Sequence, residues 1–122
     1  MKTEKIYIVM EARITELYKK PDQYKILEKM PGIKLKGKSY KPLFPYFEHM
    51  KATAFRILCD GYVTEDSGTG VVHQAPFFGE DDNRVCLAHG VVVAGGEVVC
   101  PLDGAGRFTA PVTDFQGRGL YF

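Results

Sequence analysis

Most of the side chains suited to chemistry fall in one stretch, Asp66-Ser67-Gly68-Thr69-Gly70-Val71-Val72-His73-Gln74-Ala75-Pro76-Phe77-Phe78-Gly79-Glu80-Asp81-Asp82. His73 can carry a proton. Asp82 can supply a fixed negative charge, and Ser67 and Thr69 offer hydroxyls. The glycines let the backbone approach a bound group closely. Three acids in a row could hold a divalent cation through oxygen, but acids also suit the first turn of a helix, where they offset its partial positive charge. Several generic motifs fail. After Gly68-Thr69-Gly70 no third glycine completes a dinucleotide fingerprint, and no G-K-[ST] phosphate loop is present. No G-x-S-x-G elbow surrounds Ser67. Cys59, Cys86 and Cys100 are too widely spaced for paired zinc ligation, so no metal site is expected.

The elements that must hold this stretch can be read outward from it. Val71 and Val72 lead to His73 as a strand, Ala75-Pro76 breaks it, and the acids open a helix over Asn83–His89 that Gly90 stops. That order predicts His73 and Asp82 at the same end of a strand-to-helix connection. Upstream, Ile6–Met10 reads as a buried strand, and Glu11–Lys20 as a helix stopped by Pro21. Tyr24–Met30, Ile33–Tyr40 and Ala54–Cys59 read as further strands, with Pro42–Phe47 an aromatic loop. Downstream, Val91–Ala94 and Glu97–Cys100 read as a hairpin about Gly95-Gly96, and Asp103–Gly106 as a turn. The expected fold class is α+β, with a mainly antiparallel β-barrel-like core and a few flanking short helices.

Composition narrows the function classes. With 122 residues one domain is expected. Sixteen basic against fifteen acidic side chains leave a net charge of +1, so nucleic acid would have to be held by a local patch. Lys34, Lys36, Lys38 and Lys41 are a candidate for such a patch, although alternating lysines also form the solvated face or guarded edge of a strand, the simpler reading. No apolar run is long enough to cross a bilayer, so no membrane partner is expected. Sparse, odd-numbered cysteines suit a reducing compartment.

The pattern Gly68-Thr69-Gly70-x-Val72-His73-x-Ala75-Pro76-x-x-Gly79-x-Asp81-Asp82 resembles the editing domain of isoleucyl-tRNA synthetase, an insertion in a class I synthetase. Leu35-x-Gly37-x-x-Tyr40-x-Pro42-Leu43-Phe44 and Glu80-Asp81-Asp82-x-Arg84-Val85 look most like the eukaryotic cytosolic type. The resemblance covers nearly the whole chain, so residues 1–122 are expected to be part of an editing domain within a larger synthetase.

That resemblance implies hydrolysis of the ester linking valine to tRNA(Ile), in the cytoplasm, at the 3′ end of the tRNA and beside the rest of the parent synthetase. It implies that Asp82 holds the α-ammonium and that His73 lines the amino-acid pocket and excludes isoleucine. Gly68, Thr69 and Gly70 shape the adjoining wall, and Ala75, Pro76 and Gly79 complete the substrate-binding set. No cofactor is implied for editing; ATP and Mg belong to the synthetic domain of the parent. A second site is needed because one methylene is worth only about 1–3 kcal/mol in an apolar pocket, a figure for which this synthetase family is itself the standard example. The family also carries a threonine-rich segment, T-T-x-P-W-T in style, that this sequence lacks. The chain is therefore expected to carry one wall of the site and to be weak or inactive alone, with no general base assigned. The competing expectation is a non-catalytic module that binds tRNA or a protein.

Overall fold

The structure, a computed structural model, describes residues 4–120. It divides into two compact units. One runs to Lys34 and resumes over Cys59–Gln74; the other takes Leu35–Leu58 and everything from Ala75 onward.

In the first unit, Glu11–Arg13 form a 3-10 turn that passes directly into α1, Ile14–Leu17. The helix expected to reach Lys20 ends early. Tyr18 donates its N–H to Ile14 O at 2.8 Å and then turns extended, at φ −128° and ψ 110°. So short a helix has little stability of its own, because nucleation is costly and few bonds follow it. Pro21 opens a second 3-10 turn, Pro21–Gln23, and the Tyr18 and Tyr24 rings meet across it at 5.6 Å.

In the second unit, α2 spans Glu80–Ala88, beginning three residues before the expected Asn83–His89 and taking the three acids into its first turn. Its end is closed by a paired set of bonds: Gly90 N–H to Leu87 O at 3.2 Å and Val91 N–H to Cys86 O at 2.9 Å. This Schellman closure needs a residue in the left-handed region, and Gly90 supplies it at φ +70°. Val85 and Cys86 on α2 are 1% and 2% exposed. Val112 is the third buried apolar side chain of the described residues. It lies in a small meander in which Leu102 bridges Phe108 and Arg107 bridges Gly119. The Phe108 and Phe115 rings pack at 5.8 Å there.

The expected α+β fold with an antiparallel barrel-like core is overturned. Among the described residues there is no strand, sheet or barrel. There are two short α-helices, four 3-10 turns and three isolated antiparallel bridges. Strand propensity reports how well a residue fits a paired, half-buried surface, and it produces no strand without a partner ladder. Ile6–Met10 has no such ladder, and its Ile6, Tyr7 and Ile8 side chains are exposed. Val91 and Val92 cannot start the expected hairpin because both N–H groups are turned back to Cys86 O. Gly96 still makes the predicted turn, donating to Val93 O at 3.0 Å.

Tyr24–Met30 carries no regular structure, and Ile33–Tyr40 begins instead as the 3-10 turn Gly32–Leu35. Within the second unit, residues 37–40 do approach 55–57: Ile57 donates to Lys38 O at 2.8 Å and Tyr40 to Phe55 O at 2.9 Å. The pairing stops at one bridge, Ser39 with Arg56. Beside it Phe55 sits at φ +56°, a left-handed conformation incompatible with continuing a strand and costly for a bulky residue. Val71–His73 likewise carries no strand, so the connection into α2 is loop to helix.

Candidate functional site

Gly68, Thr69 and Gly70 form a tight loop in the first unit. Gly68 and Gly70 take φ of +59° and +75°, as a non-glycine residue would only under strain. Two residues from the start of the chain pin this loop. The Met10 N–H donates to Thr69 O at 2.8 Å, and Arg13 Nε donates to Gly68 O at 2.9 Å. Met10 packs so closely that a Cβ on Gly70 would lie 2.3 Å from Met10 Cβ. The Thr69 hydroxyl lies 3.2 Å from Val71 O and 3.3 Å from Val71 N, closing the loop on itself. The loop forms one side of an open groove of about 270 Å³, lined by residues 67–72 with Tyr62, Val63 and Thr64. Asp66 stands at the loop's entrance, its carboxyl held below the ordinary value of 3.8 by the Thr64 hydroxyl.

Asp82 is built into the second unit by a different device. Ala75 to Phe78 form a turn closed by the Phe78 N–H on Ala75 O at 3.0 Å, with Pro76 in the position where its fixed φ is pre-set for the turn. Two consecutive side chains of α2 fasten this turn to the helix. Asp82 Oδ2 accepts the Ala75 N–H at 3.2 Å, and Asn83 Nδ2 donates to Pro76 O at 2.8 Å. Asp82 lies in the first turn of α2, where a negative charge suits the helix dipole. Gly79, the N-cap, leaves room for it: a Cβ there would sit 2.7 Å from Asp82 Oδ2.

Ala75, Pro76, Gly79 and Asp82 are thus gathered at one corner of one unit, and Gly68, Thr69 and Gly70 at one loop of the other. His73 is exposed, belongs to the first unit and does not line the groove there. Its neighbour Gln74 reaches the Tyr62 hydroxyl at 3.0 Å.

Asp81 pairs with Arg84 at 3.1 Å while Asp82 faces Ala75, and among the described residues no three His, Cys, Asp or Glu side chains converge as a metal site would require. One turn along α2, burial pushes the Cys86 thiol above its ordinary value of 9.0, and the Asp82 charge adds to the effect.

Met10, Arg13 and Asn83 were not read from the sequence. Met10 and Arg13 carry no local signal, since Arg13 and Gly68 are 55 positions apart. Asn83 sits beside the acids, and its spacing of seven from Pro76 matches that of Asp82 from Ala75.

No protein-family profile matches the chain. Individual proteins do. The chain is 51% identical over 115 residues to a Mus musculus protein named isoleucine–tRNA ligase, cytoplasmic, a match covering 93% of this chain and 9% of that protein. It is 50% identical to proteins of the same name from Caenorhabditis elegans and Saccharomyces cerevisiae, covering 91% and 93% of the chain and 10% and 11% of those proteins. The chain spans about a tenth of the length of these relatives. No helix among the described residues is long and apolar enough to cross a membrane. With half its residues shared across nine-tenths of its length, the chain belongs to the isoleucine–tRNA ligase family as a segment of it.

Proposed function

We propose that this chain is part of the editing site of a cytoplasmic isoleucine–tRNA ligase and recognises valine wrongly esterified to tRNA(Ile), so that the ester is hydrolysed. The single observation that carries this is the seating of Asp82. Its carboxylate is oriented by the Ala75 N–H, placed in the first turn of α2 and given space by the absence of a side chain at Gly79. A carboxylate offers about four lone-pair positions, and an ammonium is a partner suited to its charge. An aminoacyl ester presents such an ammonium beside the scissile carbonyl.

Within the second unit, Asp82 fixes the α-ammonium by a charge-assisted bond. The family resemblance gives His73 the exclusion of isoleucine, and Gly68, Thr69 and Gly70 a share in substrate binding. In the reaction itself water attacks the ester carbonyl, and the ribose oxygen leaves with the proton that the water gives up. Positioning of the ester against the water supplies much of the rate in such sites. The rest of the synthetase is the partner that delivers the tRNA end.

The test is a heteronuclear NMR titration of the chain with a non-hydrolysable 3′-valyl-adenosine analogue. The Ala75 and Asp82 amides should move, and Asp82→Ala should weaken binding by about 1.5–3 kcal/mol, the worth of a bond to a charged group. An isoleucyl analogue should bind less well than the valyl one, and His73→Ala should narrow that difference. Equal binding by the parent chain and Asp82→Ala would remove the basis of the proposal.

A further inference from the structure

We infer that Asn83 is a positioning residue for the proposed ammonium site: its side-chain amide ties the Ala75–Phe78 turn to α2 and so fixes the Asp82 carboxylate for the α-ammonium of an aminoacyl ester. This rests on the editing proposal above, which supplies the ligand. It adds a residue that acts through its neighbour and not on the substrate itself. All of these groups lie in the second unit.

The need for such a tie comes from how α2 begins. Its N-cap is Gly79, which has no side chain to accept from the first helical N–H groups. Those groups have no partner inside a helix, and a helix start without a side-chain cap is the weaker for it. Asp82 stands in that first turn. Its bond from the Ala75 N–H, at 3.2 Å, is at the long end of the N–H···O range and by itself is a weak restraint. Asn83 supplies a second one. Its Nδ2 donates to Pro76 O at 2.8 Å, and its own N–H donates to Gly79 O at 2.8 Å. One residue thus grips the entering segment at two points, from backbone already fixed where the first helical turn closes. The two side-chain bonds also run side by side, from consecutive helix positions to consecutive loop positions. One such bond leaves the turn free to swing about it; two in parallel stop that motion, and with it the drift of the Ala75 N–H away from Asp82. Both side chains belong to half-buried residues, where water competes less for the bonds. Asparagine is otherwise a poor choice inside a helix, because its amide competes for backbone groups. Here that competition is directed out of the helix and onto the turn.

A double-mutant cycle tests this, with a non-hydrolysable 3′-valyl-adenosine analogue titrated calorimetrically into the chain, Asn83→Ala, Asp82→Ala and the double variant. Circular dichroism confirms that each is folded. Asn83→Ala should lower the affinity about three- to tenfold, as the loss of one hydrogen bond would. In the Asp82→Ala background the same substitution should change nothing, because the residue through which Asn83 acts is gone. A general loss of stability would not produce that non-additivity. A spectroscopic signature accompanies it: in ligand-free Asn83→Ala the Ala75 amide proton should shift toward its position in Asp82→Ala. Asn83→Leu, of similar size but without a donor, should behave as Asn83→Ala does. Leu87→Ala, at an exposed position of the same helix, should change neither affinity nor shift. The inference is overturned if Asn83→Ala keeps the affinity and Ala75 shift of the parent chain. It is also overturned if the losses from Asn83→Ala and Asp82→Ala simply add, which would leave Asn83 a structural residue only. An affinity that depends on Asp82 and not on Asn83 therefore sinks this inference alone, whereas equal binding by the parent chain and Asp82→Ala sinks the editing proposal and this inference with it.

Discussion

A Cβ on Gly79 would stand 2.7 Å from Asp82 Oδ2 and 3.1 Å from its Cγ. The carboxylate three residues on thus occupies the space that a side chain at the N-cap of α2 would enter. The Gly79 backbone, at φ −163°, is one that any residue can adopt. Gly79→Ala should displace Asp82 and break its bond to the Ala75 N–H, costing about 1–2 kcal/mol, the range for a partly buried hydrogen bond left unmade. Urea denaturation measures the loss, and the Ala75 amide shift reports the broken bond. An alanine variant with wild-type stability and an unmoved Ala75 amide would show that the carboxylate has room to spare.

The two glycines of the Gly68-Thr69-Gly70 loop should respond differently to the same substitution. Both have positive φ, but Gly68 has open space where a Cβ would go, whereas Gly70 meets Met10. Gly68→Ala should cost about 1–2 kcal/mol from backbone strain alone. Gly70→Ala should cost more and should also release the Met10 N–H from Thr69 O. Amide hydrogen exchange at Met10 is the readout: faster in Gly70→Ala, unchanged in Gly68→Ala.

Acid should open the turn at Asp103. The backbone N–H of Arg107 holds the Asp103 carboxyl below its ordinary value of 3.8, helped by the Ala105 N–H and the Arg107 side chain. A folded value lower than the unfolded one means the contribution is complete above about pH 4 and is lost as the pH falls through the folded value. The Ala105 and Arg107 amide shifts should titrate together in that window. Asp103→Ala should abolish the titration.

Thiol labelling should follow burial. Cys100 is exposed, Cys59 intermediate and Cys86 buried. Burial, with Asp82 adding, raises the Cys86 pKa above 9.0, so little of it is thiolate near neutrality. Because the folded value is raised, any stability linked to the Cys86 proton is held below pH 9 and lost as the pH rises through it. A disulfide reagent at pH 8 should react with Cys100 first, then Cys59, and with Cys86 only at the rate at which α2 opens. Equal rates at all three would mean that Cys86 is not shielded.

What could be read from the sequence follows how local each cause is. The existence of α2 and its stop near Gly90 were legible because acids at 80–82 and a glycine at 90 act within one turn of the helix ends, although the helix starts at Glu80 and not at Asn83. The turns at Gly95-Gly96 and Asp103–Gly106 were legible for the same reason. The strands were misread because apolar, β-branched residues specify a strand only where another segment completes the ladder. Ile6–Met10 lacks that segment among the described residues, Val91 and Val92 spend their N–H groups on Cys86 O, and Phe55 turns the chain left-handed. The seating of Asp82 was only partly legible. Asp82 stood out as a carboxylate, but its bond to Ala75 and its need for glycine at 79 emerge only when the loop folds back. Arg13 and Met10, far away in the chain, had no signal at all.

The most direct measurement of the central claim is made in a chimaera: the Saccharomyces cerevisiae isoleucine–tRNA ligase with its matching residues replaced by this chain, at 50% identity. Deacylation of valyl-tRNA(Ile) is followed in the chimaera and in its Asp82→Ala form, with isoleucine charging as the check that both are folded. The account predicts that the chimaera deacylates the valyl ester. It also predicts that Asp82→Ala slows this by roughly ten- to a hundredfold, as losing a charged hydrogen bond of about 1.5–3 kcal/mol would, with charging unchanged. A chimaera that charges isoleucine yet deacylates equally fast with and without Asp82, or not at all, would contradict it.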